Sequence, residues 1–106
     1  MNAQRALTGG RALSTNGCLT SLAQGWARSM GVAQAISHNG GFASCNATAA
    51  ENIGTWQPCS VGSMDAWWMG SAPHRANILD ASFGSVGVGV WPDGNGNCWY
   101  VVDFGP

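Results

Sequence analysis

Residues 86–90 read Val-Gly-Val-Gly-Val. In an extended chain successive side chains point to opposite faces, so the three valines share one face and Gly87 and Gly89 leave the other bare. A strand with a bare face lets a helix or a bulky ring approach its backbone closely. The turn segment Pro92-Asp93-Gly94-Asn95-Gly96 follows, then a second strand over about 97–104. The C-terminal third therefore reads as a hairpin.

The clearest helical periodicity lies early in the chain. Leu19, Leu22, Ala23, Trp26, Ala27 and Met30 recur at helical spacing and form one apolar face, with Gly31 as the expected end or the start of a frayed last turn. A short helix is predicted over 2–8, stopped by Gly9-Gly10, and Ser14 to Gly17 reads as a turn. Val61, Met64 and Trp68 suit a second amphipathic helix over about 61–70. Ser71 as N-cap and Pro73 in the first turn open a further helix over 72–79. Residues 37–60 read as mostly irregular, with a short strand at Ile53–Trp56; so long a loop in a small domain is usually functional or covalently pinned. Helices early and a hairpin late, without a βαβ repeat, predict an α+β layered domain, and 106 residues make one domain over 1–106.

Charge excludes several function classes. Charged residues are 8% of the chain, against about 25% in ordinary soluble domains. There is no lysine, the net charge is −1, and Arg5, Arg11, Arg28 and Arg75 are scattered. No basic patch for nucleic acid or anionic membrane is present. No apolar run is long enough to span a bilayer. The first residues lack the apolar stretch of a signal peptide, so either the chain is cytosolic or a signal has been removed.

The cysteines favour the second option. Cys18, Cys45, Cys59 and Cys98 are an even number in a short, loop-rich chain without Cys-x-x-Cys, which predicts disulfides and an oxidising compartment. Three connectivities are possible. The expected pairing is Cys45–Cys59, closing a loop around Glu51, with Cys18–Cys98 tying a helix start to the last strand. Asn46-Ala47-Thr48 is a glycosylation sequon if the source is eukaryotic.

Few groups remain that can titrate near neutrality. The chain has one glutamate, Glu51, and two histidines, His38 and His74. Two histidines and a carboxylate are the ligand set of a catalytic zinc site, although the spacing matches no helical zinc motif. Each also has an ordinary reading: His38 as a loop histidine beside Asn39-Gly40, Glu51 as a backbone cap, His74 as a first-turn residue whose neutral ring the helix dipole favours. Ser71 reads as a helix cap, or as a hydroxyl nucleophile with His74 as its base. Trp67 and Trp68 point about 100° apart on one helix, so one of them is left to line a groove for an apolar group or a sugar ring, or to sit half-buried at the helix edge.

Several segments act together as a signature. They are Asn2-Ala3-Gln4-Arg5, Leu22-Ala23-Gln24-Gly25-Trp26-Ala27, Ser37-His38-Asn39-Gly40, Glu51-Asn52-Ile53, the run from Ala66 to Leu79, Phe83-Gly84, Val86 to Val90, and Tyr100 to Gly105. In this order they resemble the bacterial branch of the CAP superfamily, the cysteine-rich secretory, antigen 5 and pathogenesis-related proteins, also called SCP domains. The resemblance implies a three-layer α-β-α sandwich with a small, mainly antiparallel sheet and a central cleft lined by two histidines and two acidic residues. His38 matches the first histidine, Glu51 the Glu-Asn glutamate and His74 the second histidine. Ser71 falls where animal and plant members carry the second acid. Members of the family are secreted; some bind zinc, sterols or other lipids, and the fold confers no one reaction.

The expectation is a secreted, disulfide-bonded monomer with a cleft at His38, Glu51 and His74, edged by Ser71, Trp67 and Trp68. Its leading role is extracellular binding of a divalent metal, zinc on His38 and His74, or of a small or lipid ligand. The runner-up is a metal-assisted hydrolase with Glu51 as general base on a zinc-bound water. The third is a structural or cell-wall interaction module in which the histidines are buried and saturated.

Overall fold

A computed structural model describes residues 1–40, 45 and 50–106. The sequon at Asn46 lies outside the described residues. The elements are α1 (Asn2–Leu7), β1 (Ser14–Thr15), α2 (Gly17–Ala33), β2 (Ala50–Trp56), α3 (Val61–Met69), α4 (Ala72–Leu79), β3 (Ser85–Pro92) and β4 (Cys98–Gly105). They form the expected α+β sandwich. The sheet runs β1-β3-β4-β2, with β1 parallel to β3 and the other pairs antiparallel. β4 is buried along its whole length, and β2 is an edge strand.

The bare face of β3 meets α2. A methyl placed on Gly87 would fall 2.0 Å from the backbone carbon of Leu19, and one on Gly89 would fall 2.3 Å from that of Ala23. Only glycine lets the helix lie this close to the strand. On this face Ala23, Ala27 and Met30 pack with Ile53, Trp99 and Val101. The opposite face, with Tyr100, Val102 and Phe104, is covered by Met64 and Trp68 of α3 and Ile78 of α4. Alternation along β4 thus divides its side chains between two cores.

Three local expectations are corrected. Of the two expectations for Gly31, the helix end is corrected: α2 runs on through a short last turn to Ala33 and closes at Gln34 with φ 54°. Gly31 is a packing glycine: a methyl there would fall 2.3 Å from the Trp91 ring. The strand expected at Ile53 begins at Ala50, because Ala50, Glu51 and Asn52 pair with Phe104, Asp103 and Val102. The predicted turn at residues 14–17 contains β1, which pairs with Ser85 and Val86.

The disulfide pairing is also corrected. The bonds are Cys18–Cys45 and Cys59–Cys98, with Cα atoms 5.7 Å and 5.0 Å apart, so Cys45–Cys59 and Cys18–Cys98 do not form. Cys98 points into the core on the α3/α4 face, whereas Cys18 lies on α2, across the sheet. Cys98 pairs in register with Trp56, and Cys59 follows Trp56 by three residues, which brings it over the start of β4.

Arg5 is fully buried. Its guanidinium donates to the carbonyls of Arg11, Ile78, Asp80 and Phe83 at 2.8–3.0 Å. Charge-assisted bonds to four carbonyls offset the cost of burying the cation, and they lock α1 to the connection between α4 and β3.

Candidate functional site: a cleft over the edge strand

Glu51 and Asn52 are adjacent on β2, so their side chains leave on opposite faces. Each anchors one half of the site. On the α2 face, Glu51 Oε1 lies 3.0 Å from His38 Nδ1 and accepts from the Asn39 backbone N–H at 3.0 Å. The indole of Trp26 donates to Ser37 O at 2.7 Å, pinning the same segment to α2. On the other face, Asn52 Nδ2 donates to His74 O at 3.1 Å and Asn52 Oδ1 accepts from Asn77 Nδ2 at 2.9 Å. Asn52 is fully buried. The Glu-Asn pair therefore straps two histidine-bearing segments to the two sides of one edge strand.

Between them lies a cleft of about 560 Å³, within the size range of small-molecule sites. Ile36 and His38 form one side, β2 from Ile53 to Trp56 the floor, and Met64, Trp67 and His74 the other side. Its lining is mainly apolar, with the two imidazoles as its titratable groups. Trp67 is 49% exposed and tilts against His74 with ring centres 5.3 Å apart. Trp68 is 3% exposed and donates its indole N–H to Ile53 O at 3.1 Å. Of the two tryptophans, Trp67 lines the cleft and Trp68 belongs to the core. Gly54 keeps the floor low: a methyl there would fall 2.6 Å from the end of the Met64 side chain.

The two histidines differ. The His38 side chain is 63% exposed, in front of a Glu51 side chain only 1% exposed. His74 sits in the first turn of α4, and its Nδ1 is 2.7 Å from Ser71 Oγ. Ser71 holds the N-cap position, yet its hydroxyl makes no cap bond; it goes to the ring instead. Burial lowers the His74 pKa, and His38 lowers it further, so His74 is neutral at physiological pH.

Glu51 does not line the cleft. It is 5% exposed and sits behind His38, with Oε1 beside His38 Nδ1 and the Asn39 N–H. Facing it on β4 is Asp103, fully buried and in direct register. Burial, and after it the neighbouring Glu51 carboxyl, push Asp103 up to about 8. Asp103 escaped the reading of the sequence; its signal was a lone acid in an otherwise apolar strand, Cys98–Gly105.

The donor set bears on a metal. Each histidine has Nδ1 engaged, by Glu51 or by Ser71, which is how protein groups orient metal-binding imidazoles. Among the described residues, however, no group of three or more His, Cys, Asp or Glu side chains is disposed to hold a metal ion. The cleft offers two imidazoles.

Comparison with known proteins places this geometry in a family. The family model "CAP: Cysteine-rich secretory protein family" matches residues 1–104. No curated protein matches the chain. Among solved structures, an outer surface protein of Borrelia burgdorferi superposes with a TM-score of 0.82 at 14% identity, over 98% of this chain and 84% of that one. An extracellular SCP-domain protein of Bacillus anthracis gives a TM-score of 0.76 at 20% identity, over 98% of this chain and 37% of the other. A cysteine-rich secretory protein of Staphylococcus aureus gives 0.72 at 18%, over 99% and 36%. At such identities the likeness shows the fold, and this chain spans about a third of the latter two proteins. The match over residues 1–104 settles the family: the chain belongs to the CAP family of cysteine-rich secretory proteins.

Proposed function

We propose that this chain is an extracellular CAP domain whose cleft binds a small ligand with an apolar body and a hydrogen-bonding group, the latter held between His38 and His74. The cleft itself carries the reading: about 560 Å³ lined by Ile36, Ile53, Trp56, Met64 and Trp67, with the two imidazoles beside them. Few polar groups in a mainly apolar concavity is the usual composition of a ligand site. Two disulfides suit an oxidising compartment, and among the described residues no helix is long and apolar enough to cross a membrane. A purely structural role for the histidines is disfavoured by the exposure of His38.

The test is a titration with the apolar anionic dye anilinonaphthalene sulfonate, followed by energy transfer from tryptophan. Micromolar binding, about −8 kcal/mol, weakened at least tenfold in both Trp67→Ala and His74→Ala, is the expected result. Equal binding by the parent and both variants would place the dye elsewhere and sink the reading. A second reading, a divalent metal on His38 and His74, is supported by the engaged Nδ1 atoms, which aim the other ring nitrogens away from Glu51 and Ser71. Calorimetry with zinc on the oxidised protein, with His38→Ala and His74→Ala, tests it: binding must disappear in both.

A further inference from the structure

Glu51 and Asp103 stand opposite each other on β2 and β4, 5% and 0% exposed. Glu51 Oε1 is occupied by His38 and Asn39. Glu51 Oε2 and both Asp103 oxygens meet no donor among the described residues when both groups are written as carboxylates. On its other side Asp103 pairs with Gly87, which brings no side chain. Arg5, the one buried arginine, has its guanidinium turned to four carbonyls. Two buried like charges directly across a ladder repel. A single proton between them removes the repulsion and supplies the missing donor. Glu51 Oε1 already accepts the Asn39 N–H and lies 3.0 Å from His38 Nδ1, which assigns Glu51 as the acceptor and the O–H to Asp103. The raised pKa of Asp103 agrees.

We propose that Asp103 is the positioning residue of a chain Asp103–Glu51–His38, its O–H donating to Glu51 and fixing Glu51 as the acceptor that holds His38 Nδ1–H inward and presents Nε2 to the cleft. His74, backed by the neutral Ser71 hydroxyl, has no such support. The two imidazoles of the cleft are thereby unequal: one rests on an anion, the other on a dipole. A ligand meets a strongly oriented ring at His38 and a neutral ring at His74, which sets the direction in which an asymmetric polar group lies. This rests on the cleft reading only in taking His38 as a group that meets the ligand.

The test uses the free, oxidised protein. With ¹³C-labelled aspartate, infrared spectroscopy at pH 6 is expected to show a carboxylic-acid C=O band that disappears in Asp103→Asn. In ¹⁵N spectra the His38 ring is expected as the Nδ1–H tautomer in the parent and in Asp103→Asn, whose amide N–H replaces the acid donor. In Asp103→Val that single-tautomer pattern is expected to be lost. A merely structural Asp103 would lower the stability of both variants and leave the His38 tautomer unmoved. Absence of the acid band in the parent overturns the proposal, as does an unchanged His38 pattern in folded Asp103→Val. Should Asp103→Val not fold, the infrared band decides. None of these readouts needs a ligand, so failure of dye binding and failure of this inference are separate results.

Discussion

Trp67 and Trp68 are adjacent in sequence, yet one is 49% exposed and the other 3%. The helical step of about 100° shows that they diverge, but nothing in α3 says which of them faces inward. That is decided by β2, where Ile53 offers a carbonyl to the Trp68 indole and Gly54 leaves room for α3 to approach. The two side chains therefore separate stability from binding. Trp68→Ala should cost about 3–5 kcal/mol, the usual range for a deleted core aromatic. Trp67→Ala should stay within about 1 kcal/mol of the parent, because half of that ring is in water, while the cleft loses one wall. Urea unfolding of both variants checks the split; equal losses would mean that Trp67 is also core. Residue chemistry was legible where it was scarce: His38, Glu51 and His74 stood out because so few titratable groups exist. Asp103, Asn52 and Asn77 were not, because their partners are fixed by cross-strand register and helix placement.

At the scale of elements, the packing of α2 on β3 is the contact that the sequence states most openly. Val-Gly-Val-Gly-Val announces a bare strand face, and the structure fills it with a helix backbone. Gly89→Ala would set a methyl 2.3 Å from the Ala23 backbone carbon. Helix and strand backbones are both rigid, so α2 must shift off the sheet, at a cost of about 1–3 kcal/mol or more. Gly25, on the outer side of the same helix, has nothing within 4 Å of such a methyl. Gly25→Ala should therefore stabilise by about 0.5–1 kcal/mol through helix propensity alone. Thermal unfolding of the two variants should move in opposite directions. A loss in both would mean that the outer face of α2 is in contact with something. The same glycine logic explains the misread end of α2. From sequence Gly31 looks like a stop or the start of a last turn; in the fold it is the place where Trp91 and Trp99 press on the helix.

Across the whole molecule the sheet is a partition, and it governs both the disulfides and the response to pH. The pairing was illegible because cysteine spacing does not report which face of the sheet a residue occupies; Cys18 and Cys98 fall on opposite sides. The same partition seals Asp103 and Glu51 under α2, away from solvent. Both carboxyls are raised, Asp103 to about 8, chiefly by burial. They titrate as a pair, so the apparent values belong to both. The native state then holds a proton that the unfolded chain has already released, and stability falls as pH rises. His74 acts in the other sense. Its folded value lies below the ordinary 6.5, so its contribution is present above that pH and is lost on acidification. The lowered carboxyls of Asp80 and Asp93 likewise lose their contribution only in acid. Between about pH 6.5 and the region above 8, the buried pair is therefore the main source of any slope. The melting temperature should decline across this interval in the parent. Asp103→Asn keeps the donor to Glu51 but has no proton to lose, so its melting temperature should be nearly flat over the same range. The parent's loss begins near the unfolded carboxyl value of about 4, so the two curves should already differ at pH 6.5, and the gap should widen until the pair releases its proton near 8. Parallel curves for parent and variant would mean that the pair shares no proton and that Asp103 is ionised in the native state.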